Sequence, residues 1–114
     1  MVIEKEEFRQ NFKPFDKEIV VEIIDIFIQE WPDRQKEIQK NIEEGDFESL
    51  RFNAHSLKGV VANFIADEPK TLAKQLEDNA KEKIDDDNLA KFQELTKLIN
   101  ELIEELKEIK EEYV

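Results

Sequence analysis

Between Leu89 and Ile109 apolar residues return every three or four positions: Leu89, Phe92, Leu95, Ile99, Leu102, Leu106 and Ile109. That recurrence matches the 3.6-residue period of an α-helix with one buried face. A strand, whose side chains alternate with a period of two, could not bring these residues to one side. The same pattern repeats upstream, in Ile19, Val20, Ile23, Ile24, Phe27 and Ile28, in Ile38 and Ile42, and in Leu72 and Leu76. Two glycines and three prolines in 114 residues offer few interruptions. The reading is an all-α chain forming one domain over residues 1–114, large enough for a single packed core.

Punctuation residues divide the pattern. Phe8, Phe12 and Phe15 suggest a short first helix that Pro14 ends. Asp16 is placed to cap the next helix. Trp31-Pro32-Asp33 predicts a break, with a third helix starting there at an angle and stopping at Gly45. Asp46 opens a helix running to about residue 66, and Asp67 or Glu68 opens another with Pro69 in its first turn. Asp85-Asp86-Asp87 forms a turn and puts negative charge at the start of the last helix, where the helix dipole favours it. Connections this short imply antiparallel neighbours in a bundle.

Charge narrows the function. The net charge of −12 argues against binding nucleic acid or an anionic membrane, both of which attract basic faces. It suits neutral or basic partners. The absence of cysteine excludes disulfides, thiolate nucleophiles and Cys-type metal sites, and fits a cytoplasmic location. Met1-Val-Ile-Glu-Lys-Glu-Glu7 has neither the basic nor the apolar region of a signal peptide, and no apolar run approaches the length of a membrane span. A chain beginning at Met1 is expected to be free-standing.

Of the 114 residues 29 are acidic, yet none of the eighteen from Ser49 to Ala66 is, and the next longest acid-free runs are about half as long. His55, the one histidine, lies in this segment. On a helical wheel Phe47, Leu50, Ala54, Leu57, Val61, Phe64 and Ile65 form the core face, with His55 roughly 125° from its centre. His55 is therefore expected to be exposed, on a strip with Glu48, Arg51, Phe52, Lys58, Gly59, Ala62 and Ala66. Neutral imidazole has a free ring nitrogen that can attack phosphorus, and its reference pKa of about 6.5 keeps it mostly neutral at pH 7. Lys58, three residues on, can reach an anion held on the ring, and Arg51 adds a second positive charge. Gly59 costs about 1 kcal/mol in a helix interior relative to Ala, and with Ala62 and Ala66 it leaves a shallow floor for a partner's approach. Phe52 is an apolar anchor. The parts match a phosphoryl-acceptor site.

Plainer readings fit less well. A lone exposed histidine is usually a surface residue, but few surface histidines sit beside a helix-interior glycine, a lysine and an acid-free run. Gly59 as a helix–helix contact conflicts with its place off the core face. A di-iron bundle site needs Glu-x-x-His twice, whereas Phe52 occupies the position three before the single histidine. Hydrolytic triads need an acid to orient the histidine, and this segment contains none.

Ala54-His55-Ser56-Leu57-Lys58-Gly59 resembles the His-x-Leu-Lys-Gly core of histidine-containing phosphotransfer (HPt) domains. Gly45-Asp46 before the histidine helix and Leu76-Glu77 in the next helix are similar to pairs common in that family. The chain departs from the family pattern in having Val60 and Val61 where small or hydroxyl residues are common, and Ile65 where a second glycine is usual. The resemblance implies an antiparallel four-helix bundle core with an additional short N-terminal helix. It implies a phosphoryl carrier in a two-component phosphorelay, without kinase activity of its own. His55 would be phosphorylated on its outer ring nitrogen, Lys58 would steady the phosphate, and Gly59 would admit the partner. Arg51, Phe52, Ala62 and Ala66 complete the expected docking strip. The expected partners are response-regulator receiver domains and a hybrid sensor histidine kinase. No cofactor is expected on this chain, since the receiver brings the aspartate and Mg²⁺. A monomer is expected. The alternatives are an HPt-like binding module that carries no phosphate, and a scaffold that dimerises through the long last helix.

Overall fold

The computed structural model describes residues 1–114 as five helices and no strand: α1 (Lys5–Phe12), α2 (Lys17–Glu44), α3 (Phe47–Asn63), α4 (Asp67–Lys81) and α5 (Asn88–Lys110). Helices α2 to α5 form a closed ring in which each packs against the next and α5 returns to α2. The connections are short, so the helices run up, down, up and down in a bundle measuring 42 × 22 × 21 Å. The fold is the expected antiparallel four-helix bundle with a short extra helix at its N-terminus.

The boundaries follow local chemistry. Gly45 ends α2 in the left-handed conformation with φ +66°, which costs a residue without Cβ little. Asp46 caps α3, its Oδ1 accepting the Ser49 N–H at 3.1 Å. Asp67 starts α4, with Pro69 in its first turn. Asp87 precedes α5 but makes no side-chain cap bond.

Helix α2 differs from expectation: it is continuous through Pro32. A proline in a helix interior removes a hydrogen bond and costs about 3 kcal/mol. Continuity, however, keeps Trp31 and Ile38 on one stripe with Val20, Ile24 and Phe27, all buried, while Pro32 faces solvent. Burying each large apolar side chain stabilises by about 1.5–3 kcal/mol, so packing on both sides of the proline outweighs the lost bond. The same register leaves Ile19 exposed, and Phe15, in the turn before α2, is exposed as well.

Helix α1 lies across the end of the bundle where α3 ends and α5 finishes. Phe8 and Phe12 pack against Phe64, and Phe8 also meets Tyr113 edge-on. The Glu105 carboxylate accepts the N–H groups of Val2 and Ile3 at 2.8 and 2.9 Å, and Arg9 bonds Glu112. Residues Leu95, Leu98, Ile99, Leu102, Leu106 and Ile109 of α5 are buried in the chain's own core. The long apolar stripe that suggested dimerisation is therefore occupied within one molecule; only Leu89 at its start is substantially exposed.

Candidate functional site

The core face of α3 is close to the one read from the wheel. Leu50, Ala54, Leu57, Val61 and Phe64 are buried, and Phe47 packs against them half-buried. Ile65 lies beyond the helix end with φ +57°. His55 projects from the opposite side, its side chain 67% exposed. Phe52 is exposed at 74%, an unusual state for a large aromatic residue.

Two polar cross-links to α2 flank the histidine. Asn53 Nδ2 donates to the buried Asn41 Oδ1 at 2.7 Å, and Arg34 Nη1 donates to Ser56 Oγ at 3.1 Å. On the other flank stands Glu77 of α4, with only 15% of its side chain exposed. Its Oε2 lies 2.6 Å from His55 Nδ1, and its Oε1 accepts from Lys58 Nζ at 2.6 Å. Burial raises the Glu77 pKa, but the hydrogen bonds from Lys58 and His55 outweigh it and hold the carboxyl below its ordinary value. Glu77 is thus ionised at neutral pH and can only accept. Nδ1 must therefore carry the ring's proton, and the lone pair of neutral His55 falls on Nε2.

This arrangement corrects the expectation that carboxylates stay away from His55. The acid-free run clears only α3 from Ser49 onward, and the packing of α4 returns a carboxylate to the ring. A cavity of about 680 Å³ beside His55 is lined by Glu37 of α2, Glu77 of α4, and Glu48, Ser49, Arg51, Phe52 and Asn53 of α3. It opens on the N-terminal side of the histidine, whereas the small-residue floor was expected on the C-terminal side.

The other residues of the strip separate. Lys58 is beside His55 but bonded to Glu77. Arg51 is exposed, lines the cavity and makes no ion pair. Gly59 is exposed, and a Cβ built on it would meet nothing within 4 Å, so no contact inside the molecule requires glycine. Ala62 is half-buried. Ala66 is fully buried, precedes α4 as its N-cap and does not belong to the surface. The wheel placed it outward because the helical period was extended past Asn63, where α3 ends.

Glu77 was visible in the sequence as part of a Leu-Glu pair, without an assigned role. Glu37, Asn53 and Arg34 gave no signal, because their relation to His55 depends on how α2 packs. No group of three or more His, Cys, Asp or Glu side chains is arranged to hold a metal, and no helix is long and apolar enough to cross a membrane.

The sequence matches the family model described as Hpt domain over residues 22–111. No curated protein matches it. Among solved structures, it is similar to the crystal structure of histidine-containing phosphotransfer protein B from Pseudomonas aeruginosa PAO1, with a TM-score of 0.89 and 20% sequence identity. That likeness covers 99% of this chain and 97% of the other, and at this identity it speaks for the fold.

Proposed function

Because the chain belongs to the Hpt domain family, we propose that it carries a phosphoryl group on His55 between receiver-domain aspartates in a phosphorelay. The observation that carries this reading is the pairing of His55 Nδ1 with Glu77, which leaves Nε2 as a lone-pair nucleophile on an exposed ring. In the forward step that lone pair attacks phosphorus. The N–P bond forms as the bond from phosphorus to the donor's carboxylate oxygen breaks, and the carboxylate leaves with the electron pair. No proton has to leave Nε2. The positive charge that develops on the ring is met by Glu77 through Nδ1–H, and a second receiver's aspartate reverses the step.

Positioning and charge dominate phosphoryl transfer, so a carrier of this kind needs only a presented nucleophile. The partner brings the aspartate and Mg²⁺, and this chain works without kinase activity or a cofactor of its own. Receivers, including that of a hybrid sensor histidine kinase, dock over Phe52, Gly59 and Ala62. The open space at Gly59 supports this docking face, because a helix-interior glycine that no internal contact requires leaves room for a partner's backbone to come close.

The test is transfer from a phosphorylated receiver domain in Mg²⁺. Acid-labile, alkali-stable label is expected on this chain and absent from His55→Gln. Failure to label with any receiver encoded in the source genome would sink the reading in favour of a binding module.

A further inference from the structure

We propose that Arg51, rather than Lys58, is the cation that holds the phosphoryl group on His55; this rests on the carrier reading above. Lys58 already has a partner: its ammonium lies 2.6 Å from Glu77 Oε1, and only 24% of its side chain is exposed. Swinging it to a phosphoryl group would leave Glu77 half-buried with one partner fewer. It would also loosen the carboxylate that fixes the His55 tautomer. Lys58 is better described as a positioning residue that acts on His55 through Glu77.

Arg51 is uncommitted. It forms none of the molecule's ion pairs and no side-chain hydrogen bond, although Glu48 is three residues away. It lies four residues before His55, the spacing that puts two side chains side by side on a helix, about 5–6 Å apart at Cβ. Helical side chains lean toward the N-terminus, so the His55 ring is inclined over the turn that carries Arg51. The cavity agrees: its α3 wall consists of residues from Glu48 to His55 and includes neither Lys58 nor Gly59. With Nδ1 turned to Glu77, Nε2 points away from Lys58's partner. A phosphoryl group on Nε2 would enter a cavity otherwise faced by the Glu37, Glu48 and Glu77 carboxylates. Arg51 is the one cation lining it. A guanidinium fork also matches phosphate oxygens in pairs, which an ammonium cannot do.

The experiment uses the whole chain and phosphoramidate, a small donor that needs no receiver. Attack by Nε2 on its phosphorus forms the N–P bond and releases ammonia. The ³¹P resonance of the resulting phosphohistidine is then titrated. An adjacent guanidinium favours the dianion, so the phosphoryl group should take up its last proton about one pH unit higher in Arg51→Gln. Arg51→Lys should recover part of the shift. Lys58→Met should slow labelling but leave the phosphoryl titration near that of the wild type. Arg51 is exposed, so the folded state should survive its replacement, which circular dichroism would verify. A shift in Lys58→Met alone, in both variants, or in neither would overturn the assignment. A wild-type protein that gains no phosphohistidine signal would end the carrier reading itself, and the assignment with it.

Discussion

The Glu77 carboxylate meets the His55 imidazole at 2.6 Å across 22 residues of sequence. One oxygen accepts a hydrogen bond from Nδ1–H and the other accepts one from Lys58. The carboxylate therefore decides which ring nitrogen of His55 keeps its lone pair. Replacing Glu77 with Ala should slow phosphoryl uptake at least about tenfold, since a carboxylate that fixes a histidine tautomer contributes that much or more. Glu77→Gln should fall between Ala and the wild type, because its amide oxygen can still accept from Nδ1. Rapid-quench labelling with a phosphorylated receiver would measure both, and equal rates in all three proteins would remove Glu77 from the mechanism.

The same residue should give stability a pH dependence. Its pKa is lower in the folded chain than in the unfolded one, so near the carboxylate range the folded state binds fewer protons. The stabilisation is complete above the unfolded value of about 4.3 and is lost as pH falls through the lower folded value. Urea midpoints of the wild type and Glu77→Gln should differ most at neutral pH and converge below that range. A gap that widened in acid would reverse the assigned sign.

Gly59 should separate stability from binding. Nothing lies within 4 Å of the place a methyl group would occupy, and the backbone there is helical. Gly59→Ala should therefore stabilise the domain by about 0.5–1 kcal/mol and raise its Tm by several degrees. Receiver affinity should fall, and further in Gly59→Glu, which adds both bulk and negative charge. Undiminished affinity in Gly59→Glu would move the docking face elsewhere.

Ile65 is a β-branched residue with φ +57°, a conformation that costs an L-residue about 1–2 kcal/mol. Its carbonyl is bonded to the Glu4 N–H at 3.2 Å, so the turn between α3 and α4 is tied to the N-terminal segment. Glycine adopts this conformation without that cost. Ile65→Gly, which removes a half-buried side chain, should lose less than about 1 kcal/mol, whereas truncating an unstrained isoleucine costs about 2–5. Chemical denaturation would decide, and a loss of several kcal/mol would show that side-chain packing outweighs the strain.

Leu102 and Leu106 are fully buried. Leu102→Ala should destabilise the fold by about 2–5 kcal/mol, and lysine at either position should unfold the domain. Sedimentation of folded Leu102→Lys as a smaller species than the wild type would instead favour a dimer formed through α5.

Periodicity was a good guide within each helix and a poor one at its edges. The inward face from Leu50 to Val61 and the outward His55 follow from the 3.6-residue repeat alone. Gly45 and Asp46 mark a boundary by their own backbone and side-chain chemistry. Ala66 was misplaced because a wheel has no end, and the real α3 stops at Asn63. Pro32 was misread as a break because local propensity says nothing of Trp31 and Ile38, whose burial on one stripe holds α2 together.

An all-α bundle, an exposed His55 with Lys58 and Gly59 beside it, and a histidine helix free of acidic residues from Ser49 onward were legible in the sequence. These are properties of one helix, and the helical repeat is a local rule. Tertiary structure alone decided which nitrogen of His55 is presented, that Lys58 is held by Glu77, and that Arg51 is left unpaired next to a cavity. Those relations arise where α2 and α4 pack against α3, and contacts between helices depend on the geometry of the whole core.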